Sequence, residues 1–138
     1  MFEYSNQLSA KEYCELRSAV EWPPIVEDQA QSGLHNSDFI IACRDGTRIV
    51  GCARIFWDKG YIAYLADVMV KPEYQKQGIG KKLVDECISY IDKQLKDSWR
   101  IKIVILSAKG KEQFYERFGF QARPNESDGA GMQVWRMR

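Results

Sequence analysis

Gly78 and Gly80 stand near the end of "VKPEYQKQGIGKKL", residues 70–83, where a hydrophobic run stops at a proline and an amphipathic pattern begins. Lys76, Lys81 and Lys82 crowd the same positions. A helix N-terminus already carries about half a positive charge, so cations placed there cost stability unless something negative joins them. A strand that runs through Gly-x-Gly into a helix presents unbonded backbone N–H groups at the helix's positive end, an arrangement that suits a phosphate. Small residues let such a ligand approach the backbone closely. The alternative is a tight strand-to-helix turn with solvated lysines. Asp67 is the other residue that invites chemistry, because it interrupts the apolar run "YIAYLADVMV". An unpaired carboxylate there would be expensive. Desolvation would suit it to act as a base; bonded to backbone amides, it would be structural.

Two familiar phosphate patterns do not fit the glycine turn. The ATP-type loop, Gly-x-x-x-x-Gly-Lys-Ser/Thr, would need glycine where Gln75 stands and a hydroxyl where Lys82 stands. The dinucleotide pattern Gly-x-Gly-x-x-Gly would need glycine at Leu83.

The elements that must position these residues can be read from periodicity. "FEYS" reads as an edge strand, and "LSAKEYCELRSAV" as a helix capped by Ser9 with Glu12 three residues on. Tyr13, Leu16 and Val20 line one face of it. "EWPPI" ends it, since two prolines cannot continue a helix. "VEDQAQSGLHNS" is a weaker helix. Two strands flank Asp45-Gly46, a hairpin signal. "YIAYLADVMV" is nearly continuous in apolar residues, as in a strand at the centre of a sheet covered on both faces. Ile79, Leu83, Cys87, Ile91 and Leu95 recur at helical spacing after the glycine turn. "RIKIVILSA" follows as a buried strand, then "KGKEQFYERFGF" as a short helix stopped by Gly119. "GFQAR" and "MQVWRMR" read as two final strands joined by the turn "NESDGAG". The expected order is β-α-α-β-β-β-α-β-α-β-β, an α/β (α+β) fold. It would be a mixed sheet of about seven strands with helices on both faces, and residues 61–106 would supply a right-handed crossover.

The chain's 138 residues suit one domain, 1–138, of globular composition. A net charge of +1 gives no global field toward nucleic acid or an anionic membrane. Four cysteines lack CxxC spacing and His35 is the sole histidine, which argues against a zinc site and for reduced thiols. With no basic and apolar leader and no membrane-length apolar run, a soluble cytoplasmic protein is expected.

From Gln75 to Gly80 the chain matches Q/R-x-x-G-x-G/A, the signature of the GNAT family of N-acetyltransferases. "VKPEYQKQGIGKKLV" resembles that family's acetyl-CoA motif along its length, and "FYERFGF" follows a strand at the family's distance. "AKGKEQFYERFGF", "RPNE" and "GAGM" are similar to a bacterial subgroup whose substrates are mostly unassigned. The resemblance covers the whole chain.

The resemblance implies an acetyl-CoA-dependent N-acetyltransferase working by direct attack in a ternary complex. The pyrophosphate would rest on the amides of Gln75, Lys76, Gln77, Gly78, Ile79, Gly80 and Lys81. The pantetheine arm would lie beside Val68, Met69 and Val70, with Val68 or Met69 donating an N–H to the thioester carbonyl. Ser107 and Lys109 stand where the family often carries an asparagine, and with Phe114 they are candidate cofactor contacts. Tyr115 matches the position of the family's general acid, although its helical spacing with Phe114 and Phe118 also reads as core. Asp67 is the candidate base, and Ala66 stands where some members with a proposed base carry glutamate. Trp22, His35 and Trp57 would line the acceptor pocket, with Glu21 or Asp58 attracting an ammonium. A small-molecule amine is the expected partner, and a homodimer through "MQVWRMR" is a further expectation. The alternatives are a non-catalytic acyl-CoA-binding or sensing module of the same fold, and a binder of some other phosphate ligand.

Overall fold

Ser9 opens the first helix, α1 (Ala10–Ala19), by accepting a hydrogen bond from the Glu12 amide at 3.1 Å, and Glu12 returns one to the Ser9 amide. The computed structural model describes residues 1–138. They form two compact units, Met1–Val104 and Ile105–Arg138.

In the first unit, strand β1 (Phe2–Ser5) precedes α1, and α2 (Glu27–His35) follows a loop containing both prolines. Strands β2 (Phe39–Asp45), β3 (Arg48–Trp57) and β4 (Ile62–Val70) form an antiparallel meander, with β1 antiparallel to β2. Gly46 takes a positive φ of 63° in the β2–β3 turn, as the Asp-Gly signal requires. One turn of 3₁₀ helix, Pro72–Tyr74, leads into α3 (Ile79–Asp92), which crosses over to β5 (Lys102–Ile105). The sheet order is β1-β2-β3-β4-β5, a mixed sheet.

Both faces are covered. Tyr13, Leu16, Ala30 and Leu34 from α1 and α2 pack with Ala42, Cys52 and Met69 on one face. On the other, Ile79, Leu83, Val84, Cys87 and Ile91 give α3 its buried stripe. Gly51 lets α3 come close: a Cβ there would lie 2.9 Å from the Met69 carbonyl oxygen and 3.3 Å from Leu83 Cδ1. Cys43, Cys52 and Cys87 are buried and Cys14 is half-buried, all as free thiols.

Glu12 also receives two hydrogen bonds from Arg44 of β2, from Nε at 3.0 Å and from Nη2 at 2.8 Å, so one carboxylate caps α1 and ties it to the sheet. The Arg44 hydrogen bonds hold its pKa below the ordinary value of 4.5. A depressed carboxylate stabilises the fold above its unfolded pKa, and that contribution is lost as the pH falls through the folded value. Glu12→Gln keeps the cap and removes the charge. It should cost about 0.5 kcal/mol at neutral pH, because the pair is partly solvated, and nothing in strong acid. Urea denaturation at the two pH values checks this; an equal loss in acid would rule the ion pair out as its source.

Two expectations fail at the chain's end. α3 stops at Asp92, so Leu95, read as part of its stripe, is exposed. In the second unit, α4 (Glu112–Glu116) forms and Gly119 ends it at φ 95°, but no strand follows. The predicted turn does form: the Asn125 side chain accepts from the amides of Ser127 and Asp128, each at 2.9 Å. Its arms do not pair. Met132, Val134 and Met137 are 91, 81 and 91% exposed, and alternating apolar residues make a strand only where a ladder partner satisfies the backbone. The expected dimer through a C-terminal strand therefore has no preformed strand edge at 132–138. The sheet has five strands rather than about seven.

Candidate active site

The glycine turn is built to leave amides open. Lys76 and Gly78 both take positive φ, 63° and 85°, and Gly78 caps α3 in the left-handed region without a side-chain cap. The first intrahelical bond of α3 runs from the Lys82 N–H to the Gly78 carbonyl at 3.1 Å. The amides of Ile79, Gly80 and Lys81 therefore have no intrahelical acceptor and lie at the positive end of the helix. A Cβ at Gly78 would meet nothing within 4 Å, so space is open beside them. The residues fit an anion.

Two of the three lysines are already paired. Lys81 Nζ lies 2.7 Å from Asp85, and Lys82 Nζ lies 2.9 Å from Glu86, each one helical turn deeper. Lys82 also stands 5.7 Å from the Tyr4 ring centroid. The acids offset what these cations cost at the helix start, and of the three lysines Lys76 alone is exposed and unpaired.

The segment before the turn is held at several points. The Tyr74 hydroxyl donates to Asp45 at 2.8 Å, Arg48 lies over the Tyr74 ring, and Phe2 packs edge-on against it. Lys71 is 5% exposed, with its ammonium paired to Glu15 of α1. Neither anchor was expected, since each pairs residues far apart in sequence.

β4 offers a free edge beside this turn. The Lys71 N–H donates inward to the Val50 carbonyl at 2.9 Å. Backbone groups alternate sides along an antiparallel strand, so Met69 also faces β3, while Val68 and Val70 turn theirs outward. β5 begins where the Lys102 N–H meets the Tyr61 carbonyl and has only four residues. At about 3.3 Å per residue it covers roughly 13 Å, whereas Asp67 lies about 20 Å along. The outer side of Val68–Val70 thus has no neighbouring strand, and the Gln75 side chain donates from Nε2 to the Val70 carbonyl there at 3.0 Å. An extended ligand with amide groups could add along this edge. Of the two candidate donors, the alternation favours Val68 over Met69.

Asp67 marks a bulge. Arg54 opposes Ala66 and Cys52 opposes Met69, so Asp67 and Val68 together face Ala53. Asp67 takes φ 56°, a left-handed conformation that a carboxylate residue tolerates better than most. Its Oδ2 accepts from the Tyr13 hydroxyl at 2.7 Å and from Arg54 Nε at 2.7 Å, and lies 2.5 Å from Arg54 Nη2. All three contacts fall on one oxygen. Sequence reasoning gave this carboxylate backbone amides as its structural partners, whereas the structure gives it the side chains of Arg54 and Tyr13; the signal was Arg54 itself, an arginine in the interior of the strand "RIVGCARIFW". Burial first, then the Asp67 charge, pushes the Tyr13 hydroxyl up to about 12, so it stays a proton donor at neutral pH. Tyr64 is raised by the same causes in the same order.

The predicted acceptor residues separate. Trp22 is half-buried in the α1–α2 loop, with Arg17 5.7 Å from its ring centroid. Trp57 sits at the far end of β3, its indole N–H donating to Gly60 at 2.9 Å and Lys59 over its ring. Asp58 accepts the Gly60 amide at 2.7 Å and so closes that hairpin. His35 and Glu21 are exposed. The structure does not gather these residues into one pocket.

In the second unit Tyr115 is buried in α4. Its ring meets Phe114 edge-on at 5.0 Å and Phe120 at 6.1 Å, and Phe114 meets Phe118 at 5.3 Å. The Ser107 hydroxyl donates to the Ala108 carbonyl at 2.8 Å, and Lys109 is exposed.

Comparison with known proteins places this geometry. A model of the acetyltransferase (GNAT) domain matches residues 9–138. The chain is 28% identical over 135 residues to an uncharacterized N-acetyltransferase, ycf52, of Porphyra purpurea, covering 95% of this chain and 74% of that protein. Among solved structures, a probable acetyltransferase of unknown function from Staphylococcus aureus superposes with a TM-score of 0.88 at 26% identity, covering 99% of this chain and 100% of that one. N-acetylglutamate synthase from Neisseria gonorrhoeae, solved with coenzyme A and N-acetylglutamate, shares the fold at a TM-score of 0.67 and 17% identity, covering 85% of this chain and 28% of that one.

Proposed function

The chain belongs to the GNAT family of acetyltransferases, and from that premise we propose that it transfers the acetyl group of acetyl-CoA to a primary amine of a small molecule. The observation that carries the reading is the open amide row at Ile79–Lys81 beside the unpaired outer edge of β4. Acetyl-CoA supplies an activated acetyl thioester; the protein supplies the rest.

The amides of the turn from Lys76 to Lys81 hold the pyrophosphate, and Lys76 adds a cation; the Gln75 N–H, expected to join them, already donates to the Pro72 carbonyl at 3.2 Å. Val68 and Val70 offer outward backbone groups to the pantetheine arm, with Ser107, Lys109 and Phe114 as further contacts. The Val68 N–H polarises the thioester carbonyl, and a donor of this kind is worth about 3–4 kcal/mol when it meets developing charge. Asp67 keeps Oδ1 clear of the three contacts on Oδ2 and takes the proton that the amine gives up, directly or through water. The amine nitrogen then forms its bond to the acetyl carbon as the carbon–sulfur bond breaks. Tyr115 gives its phenolic proton to the departing sulfur and regains one from solvent. Residues 1–138 are proposed as a single N-acetyltransferase domain, acting in the cytoplasm. No helix is long and apolar enough to cross a membrane. Trp22 borders the acceptor on a loop that Arg17 fastens to α1, a rigid border that suits a compact amine.

Calorimetric titration with acetyl-CoA tests the reading, with ATP and NAD as controls. Micromolar binding, worth roughly 8 kcal/mol, selective for acetyl-CoA, is the expected result, and an amine screen for coenzyme A release then identifies the acceptor. Absence of binding sinks the proposal. Binding without turnover on any amine would leave only an acyl-CoA sensor.

A further inference from the structure

The Tyr13 hydroxyl uses its full hydrogen-bonding capacity. It donates to Asp67 Oδ2 at 2.7 Å and accepts from Arg17 Nη1 and Arg54 Nη2, each at 3.3 Å. Arg17 reaches in the other direction as well, donating from Nε at 3.0 Å and Nη2 at 2.5 Å to the Pro23 carbonyl. Arg54 goes on to donate from Nη1 to the Ser37 hydroxyl at 3.2 Å, and that hydroxyl donates to the Gly33 carbonyl of α2 at 2.9 Å. One phenol thus joins the Trp22 loop, α1, the end of α2, β3 and the β4 bulge. Its ring is clamped too, with Arg54 5.0 Å and Arg17 5.8 Å from the centroid. Tyr13 is buried, and no buried side-chain polar atom lacks a partner, so the network is complete.

Completeness matters because of what the network holds. Asp67 sits at φ 56°, a conformation that costs a non-glycine residue about 1 kcal/mol or more and persists only where surroundings over-determine it. The next amide, Val68, turns with the backbone conformation held at Asp67. We propose that Tyr13 is a positioning residue for acetyl transfer: it locks the bulge at Asp67 so that the Val68 N–H faces the thioester carbonyl, and it ties that setting to the acceptor loop through Arg17. The inference rests on reading the outer edge of β4 as the place of the acetyl thioester.

The test reads the carbonyl directly. Infrared difference spectra are recorded for acetyl-CoA carrying a ¹³C-labelled thioester carbonyl, bound to the wild type, to Tyr13→Phe and to Arg54→Lys. In the wild type the stretch should move to lower frequency than in free acetyl-CoA. Tyr13→Phe should bind acetyl-CoA within about twofold of wild type but lose most of the shift. Its kcat should fall roughly tenfold to a hundredfold, the scale on which small misplacements act. Arg54→Lys keeps a cation by Asp67 and should lose a smaller part, which keeps the test decisive if Tyr13→Phe folds poorly. A purely structural role would lower the melting temperature and leave the stretch of the bound ligand alone. Equal shifts in all three proteins overturn the proposal. An unshifted wild-type carbonyl overturns it while leaving cofactor binding standing. A wild type that does not bind acetyl-CoA removes the acetyltransferase reading and this one with it.

Discussion

Tyr115→Phe should lower kcat by about a hundredfold to ten-thousandfold, the usual contribution of a placed general acid, while acetyl-CoA affinity stays within a few-fold of wild type. Only the oxygen is removed; the ring keeps its edge-on contacts with Phe114 and Phe120, so α4 should still form. The loss should be largest with coenzyme A as leaving group, because its thiolate needs the proton. A thioester with a more acidic leaving thiol should recover part of the rate in the variant and gain little in the wild type. Release of thiol against the amine found by screening provides the measurement. Unchanged turnover would make Tyr115 a core aromatic, the other reading of its spacing.

The second large effect concerns folding. Gly51 pairs with Val70 across the β3–β4 ladder, with Ile79 and Leu83 of α3 directly above it. Gly51→Val puts a Cβ 2.9 Å from the Met69 carbonyl oxygen, a backbone atom fixed in the sheet, and 3.3 Å from Leu83 Cδ1. The backbone oxygen cannot yield cheaply, and the Leu83 methyl must give way by a few tenths of an ångström as well. Overpacking of this kind costs about 3 kcal/mol, and at roughly 3–4 °C per kcal/mol for a chain of this size the melting temperature should drop by about 10 °C. Because the displaced helix begins at the glycine turn, acetyl-CoA binding should weaken as well. A variant that melts within a degree or two of wild type would contradict the close approach of α3 to the sheet.

What could be read ahead of the structure followed from range. The capping box at Ser9 and Glu12, the Asp-Gly hairpin and the glycine turn are written within a few residues, and all three form. The stripe from Ile79 to Ile91 is equally local. Arg54 and Tyr13 meet Asp67 across 13 and 54 positions, and a single sequence holds no register between them. The charge balance was still legible: an arginine and an aspartate in neighbouring apolar strands each need a partner, and the cheapest is the other. The lysines misled in part, because Asp85 and Glu86 one turn onward already answer two of them. The last two strands failed for the opposite reason. Period-two alternation in "MQVWRMR" names a face but not the edge it would join.

Cys43, Cys52 and Cys87 acquire a new significance beside the proposed reaction. Each turnover would release a free thiol, and a cellular oxidant that turns two such thiols into a disulfide makes a species that a protein thiolate can attack, breaking the S–S bond, forming a mixed disulfide and releasing one thiol. That exchange needs a thiolate on one side and access on the other. Burial raises the pKa of all three cysteines, to about 12 for Cys87, and leaves them as inaccessible thiols at neutral pH. These three side chains would thereby be shielded from capping by the oxidised form of the proposed reaction's thiol product.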